Sequence, residues 1–139
     1  MTDHLLPSVA AVLTCYNEGP YIGEAVRSVL GQTAASAIGA IIIADDGSDE
    51  STLAVLREIE SWDARIEVLY GPGGARQAAQ RNVAVQATNL PFVAFLDGDD
   101  IWCPEKIDAQ LQSISRDPSI GLVYTAFAPF ADGDLESAR

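Results

Sequence analysis

The sequence is poor in cations, imidazole and thiols. It has 8 lysines and arginines against 20 aspartates and glutamates, for a net charge of −12 over 139 residues. A chain so acidic repels nucleic acid and anionic membrane surfaces, so no nucleic-acid partner is expected. The one histidine, His4, lies in the N-terminal stretch. Imidazole therefore offers neither a multi-histidine metal site nor an obvious general base. Any bound cation must be held by oxygen, which favours Mg2+ or Mn2+ over zinc. Cys15 and Cys103 form no Cys-x-x-Cys pair, and free thiols in a reducing compartment are the default. The longest apolar runs, 38–44 and 92–96, are strand-sized, far short of the roughly 20 residues that span a bilayer. Met1–Pro7 lacks the basic and apolar regions of a secretory signal. This predicts a cytoplasmic chain, or one peripheral at the inner face of the membrane.

A hydrophobic fraction of 48% with 20% charged residues is ordinary for one globular domain with a real core. Strand-like and helix-like patterns alternate from Ser8 to Phe127. The expected strands are Val9–Leu13, Ile41–Ala44, Ile66–Leu69, Phe92–Leu96 and a fifth beginning at Gly121-Leu122-Val123-Tyr124. Between them lie helical patterns: one from Pro20 to Gly31, one capped by Ser51, one over Ala75–Ala87 and one opened by Pro104. Short connections in this order predict an α/β fold, a mostly parallel sheet of about five strands with helices on both faces. The strand carboxyl ends then share one edge, where open α/β sheets bind ligands. Residues 128–139 lose the periodicity and read as an irregular tail.

The unusual residues collect at that edge. Asp97-Gly98-Asp99-Asp100 follows an apolar strand directly, and three carboxylates in four residues repel one another unless a cation is present. Magnesium favours one or two carboxylates with phosphate oxygens and water completing its shell. Acidic turns and Asp-Gly dipeptides are also common without any ligand. Asp45-Asp46-Gly47-Ser48 is a second acidic turn, able to accept hydrogen bonds from a base or ribose, or simply to turn and cap the next helix. Gly71-Pro72-Gly73-Gly74-Ala75-Arg76 leads into a helix whose N–H groups suit phosphate. It fits neither the P-loop nor the Gly-x-Gly-x-x-Gly pattern. Arg76 and Arg81 could neutralise a diphosphate, or could lie on a solvated helix face.

Taken together, Leu13-Thr14-Cys15-Tyr16-Asn17-Glu18, the 24–33 segment ending Gly31-Gln32-Thr33, Asp45-Asp46-Gly47-Ser48, Ala79-Gln80-Arg81-Asn82 and Phe95-Leu96-Asp97-Gly98-Asp99-Asp100-Ile101-Trp102 resemble family 2 glycosyltransferases in order and spacing. The resemblance spans residues 8–127. It implies the Rossmann-like GT-A fold, with residues 1–127 forming the nucleotide-sugar-binding donor half. It further implies that Thr14, Tyr16 and Asp46 hold the nucleoside, Tyr16 offering an aromatic surface to the base. Asp97 would lie near ribose and phosphates, Glu18 and Gly98 would count among the donor-binding residues, and Asp99 would ligate the metal. Arg81 stands where the family has Ala-Arg-Asn, although Gln80 precedes it here; Arg76 lies nearer the predicted crevice, and both are kept as donor-binding residues.

The expected function is therefore inverting transfer from a nucleotide-diphosphate sugar, a UDP-sugar in preference, to a saccharide or lipid-linked acceptor. The catalytic base is expected beyond this chain, and the acceptor half is expected to be supplied in cis or by another chain, a partner or a second copy. A binding-only remnant is the alternative within the same fold. A sugar nucleotidyltransferase would want a glycine-rich basic loop after strand one, where this chain has Cys15-Tyr16-Asn17-Glu18. A receiver-type signalling domain would want its acidic pair after strand one and a lysine after strand five.

Overall fold

The structure, a computed structural model, describes residues 8–134 and 136. The expectations placed on 1–7, His4 among them, and on the last residues of the tail lie outside that range. The elements run β1 (Val9–Cys15), α1 (Gly19–Leu30), β2 (Ile38–Asp45), α2 (Glu50–Ile59), β3 (Ile66–Tyr70), α3 (Arg76–Gln86), β4 (Phe92–Asp97) and α4 (Lys106–Arg116). Four strands form one sheet in the order β3-β2-β1-β4, and every pairing is parallel.

The sequence dictates which face each helix covers. The chain steps from β1 to β2 to β3 in one direction, then returns past β1 to place β4 on its far side. Right-handed crossovers require the connecting helix to change face when the direction reverses. Accordingly Val9, Ala11, Leu13 and Cys15 of β1 pack with Ile22, Val26 and Val29 of α1, Leu56 and Ile59 of α2, and Ile107 of α4. On the opposite face Val12 packs with Ile42, Ala44 and Ala84, the last from α3. Central strands apolar on both faces are what a doubly covered parallel sheet needs. Ile41 and Ile43 are fully buried, each worth roughly 1.5–3 kcal/mol of transfer free energy.

The α/β class and the Rossmann-like parallel sheet stand as expected, with four strands in place of about five. The expected fifth strand does not form: residues 121–131 carry neither helix nor strand, and Leu122, Tyr124 and Phe127 are largely exposed. These residues pair with neither free edge of the sheet, β3 or β4, and four residues of suitable composition make no strand until they pair.

Two helix starts also differ from the sequence reading. Asp49, not Ser51, caps α2: its Oδ1 accepts from the Thr52 backbone N–H and from the Ser51 hydroxyl. The fourth helix begins at Lys106 rather than Pro104, because the Pro104 carbonyl is turned aside to accept from Thr33 N.

Candidate functional site

The sheet reverses direction between β1 and β4, and the crevice of an open α/β sheet opens at such a point. In register across the carboxyl edge, Thr14 stands beside Ala44 on one side and Asp97 on the other, and Cys15 stands beside Asp45. The two acidic turns thus leave from strands that flank β1, about 10 Å apart at the usual strand spacing. A cavity of about 530 Å³ lies over this edge, lined by Thr14, Tyr16, Glu18, Asp46, Arg76 and Gln77 among others. Tyr16 is 59% exposed, so its ring is available at the rim.

The first turn is closed on itself. Asp45 is fully buried; its Oδ2 accepts from Gly47 N at 3.1 Å and Ser48 N at 3.2 Å, and its Oδ1 takes the Ser48 hydroxyl. Ser48 Oγ in turn accepts from Asn17 N, and Asn17 Oδ1 accepts from Asp49 N, so the loops after β1 and β2 are stitched together. Asp46 reaches the other way. Its carboxylate accepts from Ala75 N at 3.0 Å, Arg76 N at 2.9 Å and Gln80 Nε2 at 3.1 Å. The Ala75 N–H, with Gln80 and Arg76, holds the Asp46 carboxyl below its ordinary range. The carboxylate read as a nucleoside contact lines the cavity and also braces the glycine loop at its wall. Gly47 has φ 73° and lies so close to Gly73 that an added Cβ would stand 2.6 Å from the Gly73 Cα, which leaves no room for a side chain.

The second turn is held only at its start. Asp97 Oδ1 accepts from Gln77 Nε2 at 2.8 Å and pairs with Arg81, whose guanidinium also lies 5.8 Å from the Phe95 ring. Arg81 therefore reaches the acidic turn from α3, while Arg76 lines the cavity directly. Among the described residues, Asp99 and Asp100 have no such side-chain partners. Glu18 sits beneath this turn: an added Cβ at Gly98 would collide with Glu18 Oε2 and stand 2.7 Å from the Thr14 carbonyl, so only glycine lets the acidic turn settle over Glu18. Glu18 Oε2 is buried without a hydrogen-bond partner. Burial first, then the charge of Asp99, with Asp97 and Asp100 adding to it, pushes the Glu18 carboxyl up to about 7. Burial followed by Asp99 and Asp97 raises Asp100 as well.

Among the described residues, no three histidine, cysteine, aspartate or glutamate side chains already converge as a metal cage. An orphaned carboxylate oxygen beside three aspartates is nonetheless a set of hard oxygen donors with an unmet need for positive charge. It suits a cation whose remaining positions are filled by phosphate and water.

Sequence reasoning gave no role to Gln32. Its side chain is buried against the segment that follows the acidic turn, donating to Cys103 O at 2.8 Å and Ser28 O at 3.0 Å and accepting from Ile107 N at 3.0 Å. A glutamine just past the end of α1, where a solvated loop would be the default, was the available signal.

The profile of Glycosyl transferase family 2 matches residues 10–138. The chain belongs to that family. It is 37% identical over 125 residues to TuaG of Bacillus subtilis (strain 168), a protein named for glycosyl transfer in teichuronic acid biosynthesis, covering 90% of this chain and 48% of that one. It is 32% identical over 124 residues to the Escherichia coli UDP-Glc:alpha-D-GlcNAc-diphosphoundecaprenol beta-1,3-glucosyltransferase WfgD, covering 89% and 46%. The chain thus spans about half the length of these relatives. In fold it is similar to S. aureus TarS 1–349, solved in complex with UDP-GlcNAc: the TM-score is 0.72 at 20% identity, over 88% of this chain and 38% of that one. Family membership decides against the nucleotidyltransferase and receiver alternatives.

Proposed function

We propose that this chain forms the donor-binding part of an inverting glycosyltransferase that takes a nucleotide-diphosphate sugar, a UDP-sugar in preference, with a divalent cation. The observation that carries this reading is the unsatisfied acidic turn over Glu18, set across β1 from a braced glycine loop at one crevice. One side of that crevice wants positive charge. The other presents the Arg76 guanidinium, which wants negative charge. A metal-diphosphate satisfies both. The preference for UDP rests on WfgD, named for UDP-Glc, and on TarS, solved with UDP-GlcNAc.

In this reading Tyr16 stacks on the base, and Thr14 borders the nucleoside. Asp46 contributes by holding Ala75 and Arg76 where they meet the diphosphate. Asp97, fixed by Gln77 and Arg81, faces ribose and phosphate. Asp99 holds the cation, with Glu18 beneath Gly98 close enough to feel it. When bound, the cation stabilises the charge of the departing diphosphate. Inversion needs one carboxylate to deprotonate the acceptor hydroxyl. We assign that base, and recognition of a saccharide or lipid-linked acceptor, to residues outside 8–127.

Titration calorimetry tests this with UDP, UDP-sugars and other nucleotides, in Mn2+ and in chelator. UDP should bind at least about tenfold more tightly with Mn2+, a difference of about 1.4 kcal/mol, and Asp99→Asn should remove most of that gain. Equal affinity with and without metal, in both proteins, would remove the cation from the reading.

A further inference from the structure

We propose that Gln32 is a positioning residue for the acidic turn: its side-chain amide ties the segment leaving that turn to α1 and so sets where Asp99 and Asp100 stand. This inference rests on the donor-binding reading only for its consequence, not for its geometry.

Gln32 is 4% exposed, and burying a primary amide costs stability unless its donors and acceptor are matched. Both donors and the acceptor are used. Nε2 donates to Ser28 O within α1 and to Cys103 O, 71 residues away in sequence. Oε1 accepts from Ile107 N, 75 residues away. The last bond fills a gap the sequence leaves open. Glu105, at the N-cap of α4, makes no side-chain cap bond, and the first N–H groups of a helix need acceptors. Gln32 supplies one from another element. Neighbouring residues reinforce the tie: Trp102 N donates to Ser28 Oγ at 3.1 Å, and Thr33 N donates to Pro104 O at 2.9 Å. Trp102 is itself buried, 6% exposed.

The acidic turn is therefore pinned at both ends. Asp97 is fixed from α3 by Gln77 and Arg81, and Trp102 to Ile107 are fixed from α1. Only residues 98–101 span the gap. Like charges in a span that short would move apart if one end were released, since their repulsion has no internal hydrogen bonds to oppose it apart from the Asp100 N to Asp97 O turn bond. Releasing the Gln32 tie should disperse the carboxylates while leaving Thr14, Tyr16 and the glycine loop, on the other anchors, where they are.

The test compares wild type with Gln32→Ala and with the milder Ser28→Ala, which removes the Trp102 tie and a Ser28 hydroxyl bond to Ala25 O within α1 but leaves the Gln32 bonds in place. Each is measured by hydrogen exchange without ligand, then by UDP and uridine titration in Mn2+ and in chelator. Exchange should quicken at the amides of Trp102 and Ile107 and across 98–101 in Gln32→Ala, with the amides of β1 and β2 unchanged. The Mn2+ gain for UDP should fall about tenfold, or about 1.4 kcal/mol, with uridine affinity kept within about twofold; Ser28→Ala should move both readouts the same way by less. A parallel fall of uridine and UDP would mean a merely structural role, and unchanged exchange at 98–107 in both variants would remove the tie altogether; either result overturns the inference. If Gln32→Ala does not fold, Ser28→Ala carries both readouts. Should wild type show no Mn2+ gain, the donor-binding reading fails on that measurement alone, and the exchange pattern still decides whether Gln32 positions the turn.

Discussion

Two aspartate turns stand at the same edge of the same sheet, and in sequence they look alike. Asp45-Asp46-Gly47-Ser48 and Asp97-Gly98-Asp99-Asp100 each follow an apolar strand and each contain glycine. In the folded chain they are opposites. Every carboxylate of the first has its acceptors filled by neighbouring N–H and O–H groups. The second has one engaged carboxylate oxygen, Asp97 Oδ1, and a crowd of like charge around an orphaned Glu18 oxygen. A satisfied carboxylate is part of the scaffold. An unsatisfied one, kept in place by ties to other elements, is a standing demand for a ligand.

The contrast predicts opposite responses to neutralisation. Asp45→Ala strands two backbone N–H groups and a hydroxyl in a fully buried position and should cost about 3 kcal/mol of folding stability. Asp99→Asn removes like-charge repulsion and should leave stability within about 0.5 kcal/mol of wild type, or raise it. Urea denaturation of the two variants measures the difference. Similar losses in both would mean that the turns are not divided into scaffold and site.

A smaller effect should appear in the pH dependence. Glu18 goes from an ordinary value of 4.5 to about 7 on folding, so within that window the folded chain holds the proton more firmly than the unfolded one. Stability from this group is complete below about 4.5, declines as pH rises through the window, and is gone above 7. Glu18→Gln should flatten that decline and raise the Tm by a few degrees at pH 8, about 1 kcal/mol once solvent screening of a half-buried group is allowed for. In wild type, Mn2+ should restore more of the lost stability than it does in the variant. A Tm at pH 8 that Glu18→Gln leaves unchanged would show that the crowding costs nothing and that the second turn is as settled as the first.

The scaffold was easier to read than the site. Runs such as Ile41–Ala44 and Phe92–Leu96 announce buried strands because apolar side chains on both faces have no other stable setting, and the structure extends them by only a few residues. The fifth strand failed because Gly121–Tyr124 has the composition of a strand but pairs with neither free edge of the sheet, β3 or β4; composition cannot report the neighbour. In the site, motif spacing singled out both turns and Arg81, and the glycine-rich helix start singled out Arg76. It could not tell which carboxylates were already engaged, since the partners of Asp46 lie 29 and more residues away in sequence. Gln32 escaped for the same reason: its partners are 71 and 75 residues distant.

The smallest effect expected concerns the loop that the first turn braces. Arg76 opens α3 with φ 65°, a left-handed conformation that costs an L-residue roughly 1 kcal/mol and glycine almost nothing. Asp46 imposes it by drawing both Ala75 N and Arg76 N onto one carboxylate, which aims the arginine over the cavity. Arg76→Ala keeps the strain and loses the guanidinium; Arg76→Gly loses both. Part of the glycine advantage is cancelled by the greater freedom it gives the unfolded chain, so Arg76→Gly should be more stable than Arg76→Ala by only about 0.5 kcal/mol. Both should weaken UDP about tenfold, or about 1.4 kcal/mol, while sparing uridine. Chemical denaturation and nucleotide titration of the pair separate the two consequences. Equal stabilities would mean that the loop relaxes once the arginine is gone, so that the side chain and not Asp46 sets its shape, and the braced turn would then owe part of its order to the site it was taken to support.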